Sequence, residues 1–188
     1  MKVQVLREAG YEEALLGLSL SYNQPTEKMS RVADRLYCHD DGHNKFLESI
    51  VVWLDIIAPR YWWQQFDTYR VGMTKQSEST MHTIMKREIV QKDFERPIHQ
   101  ATLEHLNKLI AQRDFEAVKL ELPEGFLQRR VVCTNYKVLR HIIAQRRRHR
   151  LPEWVLFCEA TASQLEHAIF MEPLGDNNEE KTVPSNEQ

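Results

Sequence analysis

Arg146 is the residue whose type and place carry the most chemistry. The stretch from Asn135 to Arg150 reads as one helix, capped by Asn135. At about 100° per residue, Tyr136, Val138, Leu139, Ile142 and Ile143 share an apolar face, and Arg146 falls almost at its centre. Arg140, Arg147 and Arg148 fall opposite and read as solvated charges. A guanidinium on an apolar face needs a partner, because an unpaired buried charge is costly. One candidate is a carboxylate, such as Glu159 or Glu48. The other is a phosphate or planar anionic base, which the guanidinium fork grips bidentately. Asn135 and Arg146 stand about 16 Å apart along the helix, a span that suits two ends of one long ligand or two ligands side by side.

Other clusters carry weaker signals. Cys38, His39, Asp40, Asp41 and His43 lack the paired spacing of a zinc site, so no metal is expected there. The run QRRRHR, 145 to 150, reads as a helix C-terminus whose cations offset the dipole, with a nucleic-acid patch as the competing reading. Ser77 and Ser79 have the character of turn or capping residues. Trp62 and Trp63 suit core or subunit-interface packing.

These groups need elements to hold them. Alternation over 1 to 7 predicts a strand, and helices are expected over 11 to 22 and 25 to 37. A polar loop follows at 38 to 44, then a buried strand from Ile50 to Ile57, ended by Ala58-Pro59. The aromatic run 61 to 70 predicts a helix, 77 to 82 a loop, and 98 to 113 a further helix. A turn at Leu122 to Gly125 leads into a strand from Phe126 to Thr134. A last helix is expected from Pro152 to about Phe170, and the polar tail 173 to 188 is expected to be disordered. This order predicts an α+β fold in a single domain, 1 to 172.

Composition narrows the class. The chain has 188 residues, 42% hydrophobic and 28% charged, which is too apolar for disorder and too interrupted for a membrane span. No signal peptide is expected from its opening residues. Twenty-five basic against 27 acidic residues leave a net charge of -2, so a whole-protein basic footprint for nucleic acid is absent. Three cysteines, odd in number and far apart, imply no disulfide framework and point to a reducing, cytoplasmic compartment.

The segment FLESIVVWLDIIAPRYWWQQFDTYRVG, with SESTMH after it, resembles the core of flavin-dependent thymidylate synthases (ThyX). LPEGFLQRRVVCTNYKVLRHIIAQR resembles that family's later strand and helix, and the likeness runs in order over residues 43 to 168. The DTYRVG and STMH runs are similar to those of short phage-type members. The resemblance implies a small, mostly antiparallel sheet packed with several helices. It implies transfer of a one-carbon unit from methylenetetrahydrofolate to C5 of dUMP, with FAD as cofactor, NADPH as reductant and a homotetramer with sites at subunit interfaces. Residue by residue, it places Gln65, Ser77, Ser79 and Arg146 on the nucleotide, with Arg146 as the catalytic arginine, and Arg70, Asn135 and His141 on the flavin. Tyr61, Trp62, Trp63 and Tyr69 offer stacking surface, and no cysteine is required to attack the uracil. The chain departs from the family at Thr68 and Tyr69, where an arginine and a histidine are usual. It departs again at Ser49, where a histidine is usual, and at Thr80 or Met81, in place of an arginine. Those departures keep two other readings open: an inactive member that binds a nucleotide or a partner, and a nucleic-acid-binding protein.

Overall fold

The computed structural model describes residues 1–40 and 42–172. Asp41 and the tail 173–188 lie outside the described residues, so the expectations placed on them stay there. Four strands, β1 (Lys2–Ala9), β2 (Val51–Pro59), β3 (Thr74–Ser77) and β4 (Leu127–Asn135), form an antiparallel sheet in the order β1-β2-β4-β3. The central pair runs in unbroken register from Val51 opposite Asn135 to Pro59 opposite Leu127. With the helices, this is the expected α+β class.

Alternation along β2 decides which face is covered. Val52, Leu54, Ile56 and Ala58 are wholly buried against helices. Val51, Trp53, Asp55 and Ile57 point to the other face, where they are only half-buried. The covering layer is α1 (Tyr11–Tyr22), α2 (Met29–Leu36), α3 (Arg60–Phe66), α7 (Tyr136–Arg146) and α8 (Pro152–Ala162). Gly10, at φ +97°, turns the chain from β1 into α1, where a Cβ would lie 2.2 Å from the Ser49 carbonyl oxygen. Three shorter or outlying helices, α4 (Thr80–Thr83), α5 (Gln100–Ala111) and α6 (Phe115–Glu121), lie in the segment between β3 and β4. A second apolar cluster there gathers Ile84, Phe94, Leu106 and Val118.

Several helix ends differ from the sequence expectation. The helix expected over 135–150 stops at Arg146, because Pro152 opens α8 and holds Leu151 extended at φ −82°, ψ 120°. The last helix stops at Ala162, not near Phe170, where Gln164 turns its side-chain amide onto the backbone of Val3 and Val5 in β1. The stretch 77–82 is not a plain loop: Ser77 closes β3 and Thr80 opens α4. Helix α6, capped by the Asp114 carboxylate accepting from the Ala117 N–H at 3.0 Å, was not expected from the sequence pattern.

Candidate functional site

Helix α3 ends at Phe66 instead of reaching residue 70, and Lys75 accounts for it. Its ammonium donates to the carbonyl oxygens of Phe66 (3.2 Å) and Tyr69 (2.8 Å) and to Asp67 Oδ1 (3.2 Å). All three of its hydrogens are thereby used on the turn that follows the helix. Arg130 on β4 holds the same Asp67 carboxylate through both oxygens, at 2.9 and 3.0 Å, with its guanidinium 4.3 Å over the Trp63 ring. Gly72, at φ +66°, lets the turn lie on the first turn of α7, where a Cβ would meet Val138 Cγ2 at 2.9 Å. The turn that carries Tyr69 and Arg70 is thus held by charge on one side and a close approach on the other. Lys75→Met keeps the stem and removes the donors. It should lower stability by about 2 kcal/mol and speed amide exchange in residues 67–73, as read by urea unfolding and hydrogen exchange.

Arg146 is the last residue of α7, and its surroundings were half foreseen. Its Nε donates to the Tyr69 hydroxyl oxygen at 2.8 Å, and its guanidinium lies 4.7 Å from the Trp154 ring and 5.7 Å from the Tyr69 ring. The Tyr69 hydroxyl in turn donates to Gln145 Oε1 at 2.9 Å. Neither expected carboxylate is the partner. Glu48 pairs with Lys137 at 2.7 Å, and among the described residues Arg146 has no ion pair. Aromatic faces compensate the cation in place of an anion. Arg140 is not a free surface charge either: its Nη1 donates to the carbonyls of Phe170 (2.8 Å) and Glu172 (2.6 Å). The docking of α8 makes the first arrangement and the turn at Ala168–Met171 with Glu172 the second, and helical periodicity reports neither.

Gln65 joins the same cluster, accepting at Oε1 from Trp154 Nε1 at 2.8 Å. An indole N–H can only donate, so the amide is fixed in one orientation with its Nε2 hydrogens left over. His141, exposed on α7, sets its ring edge-on to Tyr69 with 6.3 Å between centroids. Asn135 caps α7, its Oδ1 accepting from the Val138 N–H at 3.0 Å, while its Nδ2 faces Gly72. Arg70 is exposed on the turn, with no ion pair among the described residues. Gln65, His141 and Arg146 therefore come together around Tyr69 and Trp154, with Arg70 and Asn135 flanking.

Ser77 and Ser79 do not join them. Ser77 pairs with Arg130 at the end of β3, and Ser79 precedes α4, its carbonyl accepting from the Thr83 hydroxyl at 2.9 Å. Their chain neighbours Glu78 and Thr80, but not the serines themselves, line a cavity of about 390 Å3 on the bare side of the sheet, with Lys2, Arg87, Lys92 and Arg129 among others. Arg129 is bound to Asp55 at 2.8 and 2.5 Å, and Arg87 to Asp93 at 2.6 and 2.7 Å. Trp62 and Trp63 are core residues, 0% and 1% exposed, and offer no ligand platform.

Electrostatics around Arg146 favour an anion. Burial, and then the charges of Arg146 and Arg150, hold His149 below its ordinary range, which lessens the positive charge the imidazole adds beside the guanidinium. Burial pushes the Cys158 thiol on α8 up to about 12, which leaves it protonated and a poor nucleophile at neutral pH. The residues the sequence pattern did not mark as partners are Trp154, Gln145, Lys75 and Asp67. Only Trp154 had a signal, Pro152 fixing the start of its helix.

Known proteins bear on this arrangement at two levels. No curated protein matches the chain. Among solved structures, the flavin dependent thymidylate synthase ThyX from Helicobacter pylori, complexed with FAD and dUMP, aligns with a TM-score of 0.80 at 16% identity. That alignment covers 92% of this chain and 98% of that one. A second Helicobacter pylori ThyX structure with FAD and dUMP aligns at 0.78 and 15% identity, over 91% and 97% of the two chains. At such identities the likeness is one of fold. The sequence itself goes further: residues 8–169, which span every strand but the start of β1 and all the residues gathered around Arg146, match the thymidylate synthase complementing protein family, and the chain belongs to it.

Proposed function

We propose that the chain is a flavin-dependent thymidylate synthase acting on dUMP. The observation that carries this reading is Arg146, a guanidinium seated on aromatic rings with its Nη edge unspent, beside the oriented amide of Gln65. Family membership and the fold shared with two FAD- and dUMP-bound ThyX structures support it. The donor set fits a flavin. Arg70 is an exposed cation, Asn135 spends only its Oδ1 on capping, and His141 presents an exposed imidazole along the same flank of α7. When bound, FAD supplies the redox chemistry and the one-carbon relay from methylenetetrahydrofolate, with NADPH as reductant.

The chain's own residues bind and orient. The Nη edge of Arg146 pairs with an anionic or polarised oxygen of the nucleotide, and Gln65 Nε2 donates to it. Arg70 offers charge to a phosphate, while Asn135 and His141 offer hydrogen bonds along the flavin's edge. No thiol takes part, consistent with the protonated Cys158. The protein assembles as a homotetramer in this reading. Ser77 and Ser79, remote from Arg146 within one chain, then meet the nucleotide held by a neighbouring copy, and the half-buried Trp53 and Ile57 face is covered. No helix among the described residues is long and apolar enough to cross a membrane, and the reading places the enzyme in the cytoplasm as a divergent, phage-type member.

The test is an absorbance spectrum with and without added FAD, followed by an assay for dTMP and a mass by light scattering. A flavin spectrum, dTMP formation and a four-chain mass are expected. A protein that binds dUMP but takes up no flavin and forms no dTMP would be a nucleotide-binding member without turnover, and the enzyme reading would fall.

A further inference from the structure

We infer that Tyr69 is a positioning residue that sets the guanidinium of Arg146 for its ligand, an inference that rests on the nucleotide reading of Arg146 given above. An arginine side chain has only donors, so the 2.8 Å contact makes the Tyr69 oxygen the acceptor and sends the phenol proton elsewhere. Gln145 Oε1, at 2.9 Å, takes it. The phenol is fixed at three further sides by the rings of Phe66, Trp154 and His141, with centroids 6.1–6.3 Å away. Its backbone is fixed as well, since the Tyr69 carbonyl accepts from Lys75 at 2.8 Å.

The consequence falls on Arg146. Its Nε is taken, its Cζ lies against the rings of Trp154 (4.7 Å) and Tyr69 (5.7 Å), and the Nη1 and Nη2 hydrogens are the donors left. A flexible arginine would have to give up rotamer freedom on binding, and this one has already done so. The bidentate edge is therefore presented to a planar or tetrahedral oxyanion in a preset direction. The chain has a tyrosine where the resembling family usually has a histidine, and the phenol's oxygen accepts at every physiological pH.

Calorimetric titration of dUMP into the full chain tests this with five variants. Tyr69→Phe keeps the ring and loses the acceptor, and should weaken binding about 10-fold with little change in melting temperature. Gln145→Ala, on the surface, frees the phenol proton and should weaken binding about 3-fold. The double variant should bind no more weakly than Tyr69→Phe alone, since Gln145 acts only through Tyr69. Two structural lesions unconnected to the arginine would instead add. Tyr69→His should recover most of the loss at pH 8, where a neutral imidazole accepts, and lose it again as the ring protonates near pH 6. Parent-like binding by Tyr69→Phe, or additive losses, would overturn the positioning role. Arg146→Ala separates the two claims. If it weakens binding while Tyr69→Phe does not, only the role of Tyr69 falls; if it binds as the parent does, the nucleotide reading of Arg146 falls and takes this inference with it.

Discussion

Arg146→Ala is expected to bind dUMP about 100-fold more weakly than the parent chain, a loss of ~3 kcal/mol, while melting at nearly the same temperature. The guanidinium spends one N–H on Tyr69 and none on a carboxylate among the described residues. Charge-assisted, bidentate contacts of the remaining edge are the strong kind, and truncating one side of such a pair commonly costs about 2–5 kcal/mol. The fold loses little in exchange. The side chain contributes one hydrogen bond and a pair of cation–π contacts, of order 1 kcal/mol together. Arg146→Lys should fall between, because an ammonium cannot use the Tyr69 oxygen and present a planar fork at once. Calorimetry with dUMP and a thermal melt check both halves. Unchanged affinity would show that the arginine faces no nucleotide.

The largest expected effect on stability belongs to Trp62. It is 0% exposed and packs against Trp63, Phe66, Trp154 and Phe157 with centroids 4.7–5.4 Å away. Trp62→Ala should cost about 3–5 kcal/mol, from lost transfer energy and the cavity left behind, and lower the melting temperature by roughly 10 °C. Trp62→Phe is the sharper comparison. The indole N–H of Trp62 is buried with no hydrogen-bond partner among the described residues, so phenylalanine removes an orphaned donor along with the volume. Its cost should be less than half that of alanine in urea unfolding. Because Trp154 rests on Trp62 at 4.7 Å and forms the floor beneath Arg146, the alanine variant should also weaken dUMP binding. A variant that loses stability with unchanged affinity would uncouple core from site.

What the sequence pattern revealed and what it concealed divide along a physical line. Strand β2 was legible from its β-branched run, although it pairs on through Ala58 and Pro59, which were expected to end it, and α1 was read to its ends. The inward direction of Arg146 came from the wheel alone, and the cap at Asn135 from residue type. Properties set by neighbours in space were not legible. Helix α3 ends where Lys75 collects its carbonyls, and α7 ends where the next helix begins with proline. The partner of Arg146 is an aromatic pair contributed by α8 and by the turn after α3, so no periodicity along α7 could name it. Arg140 went the same way, from an apparent surface charge to the clasp of the turn at Ala168–Met171. Ser77 and Ser79 were placed on the nucleotide by resemblance, and within one chain they close β3 and precede α4, away from the cluster around Arg146.

The central pairing of the sheet also governs how the chain reaches its native state. Strand β2 meets β1 across the first helices, but its other edge waits for β4, which follows everything from Arg60 to Phe126. Until β4 emerges, an apolar strand carries an open row of amides and carbonyls, an edge that invites pairing with any other extended chain. Such long sequence separation slows folding, since loop closure must precede the contacts that stabilise it. The local turns and helices can form early; the seating of Asn135 at the top of β4, and with it the start of the helix that ends in Arg146, is expected to come late.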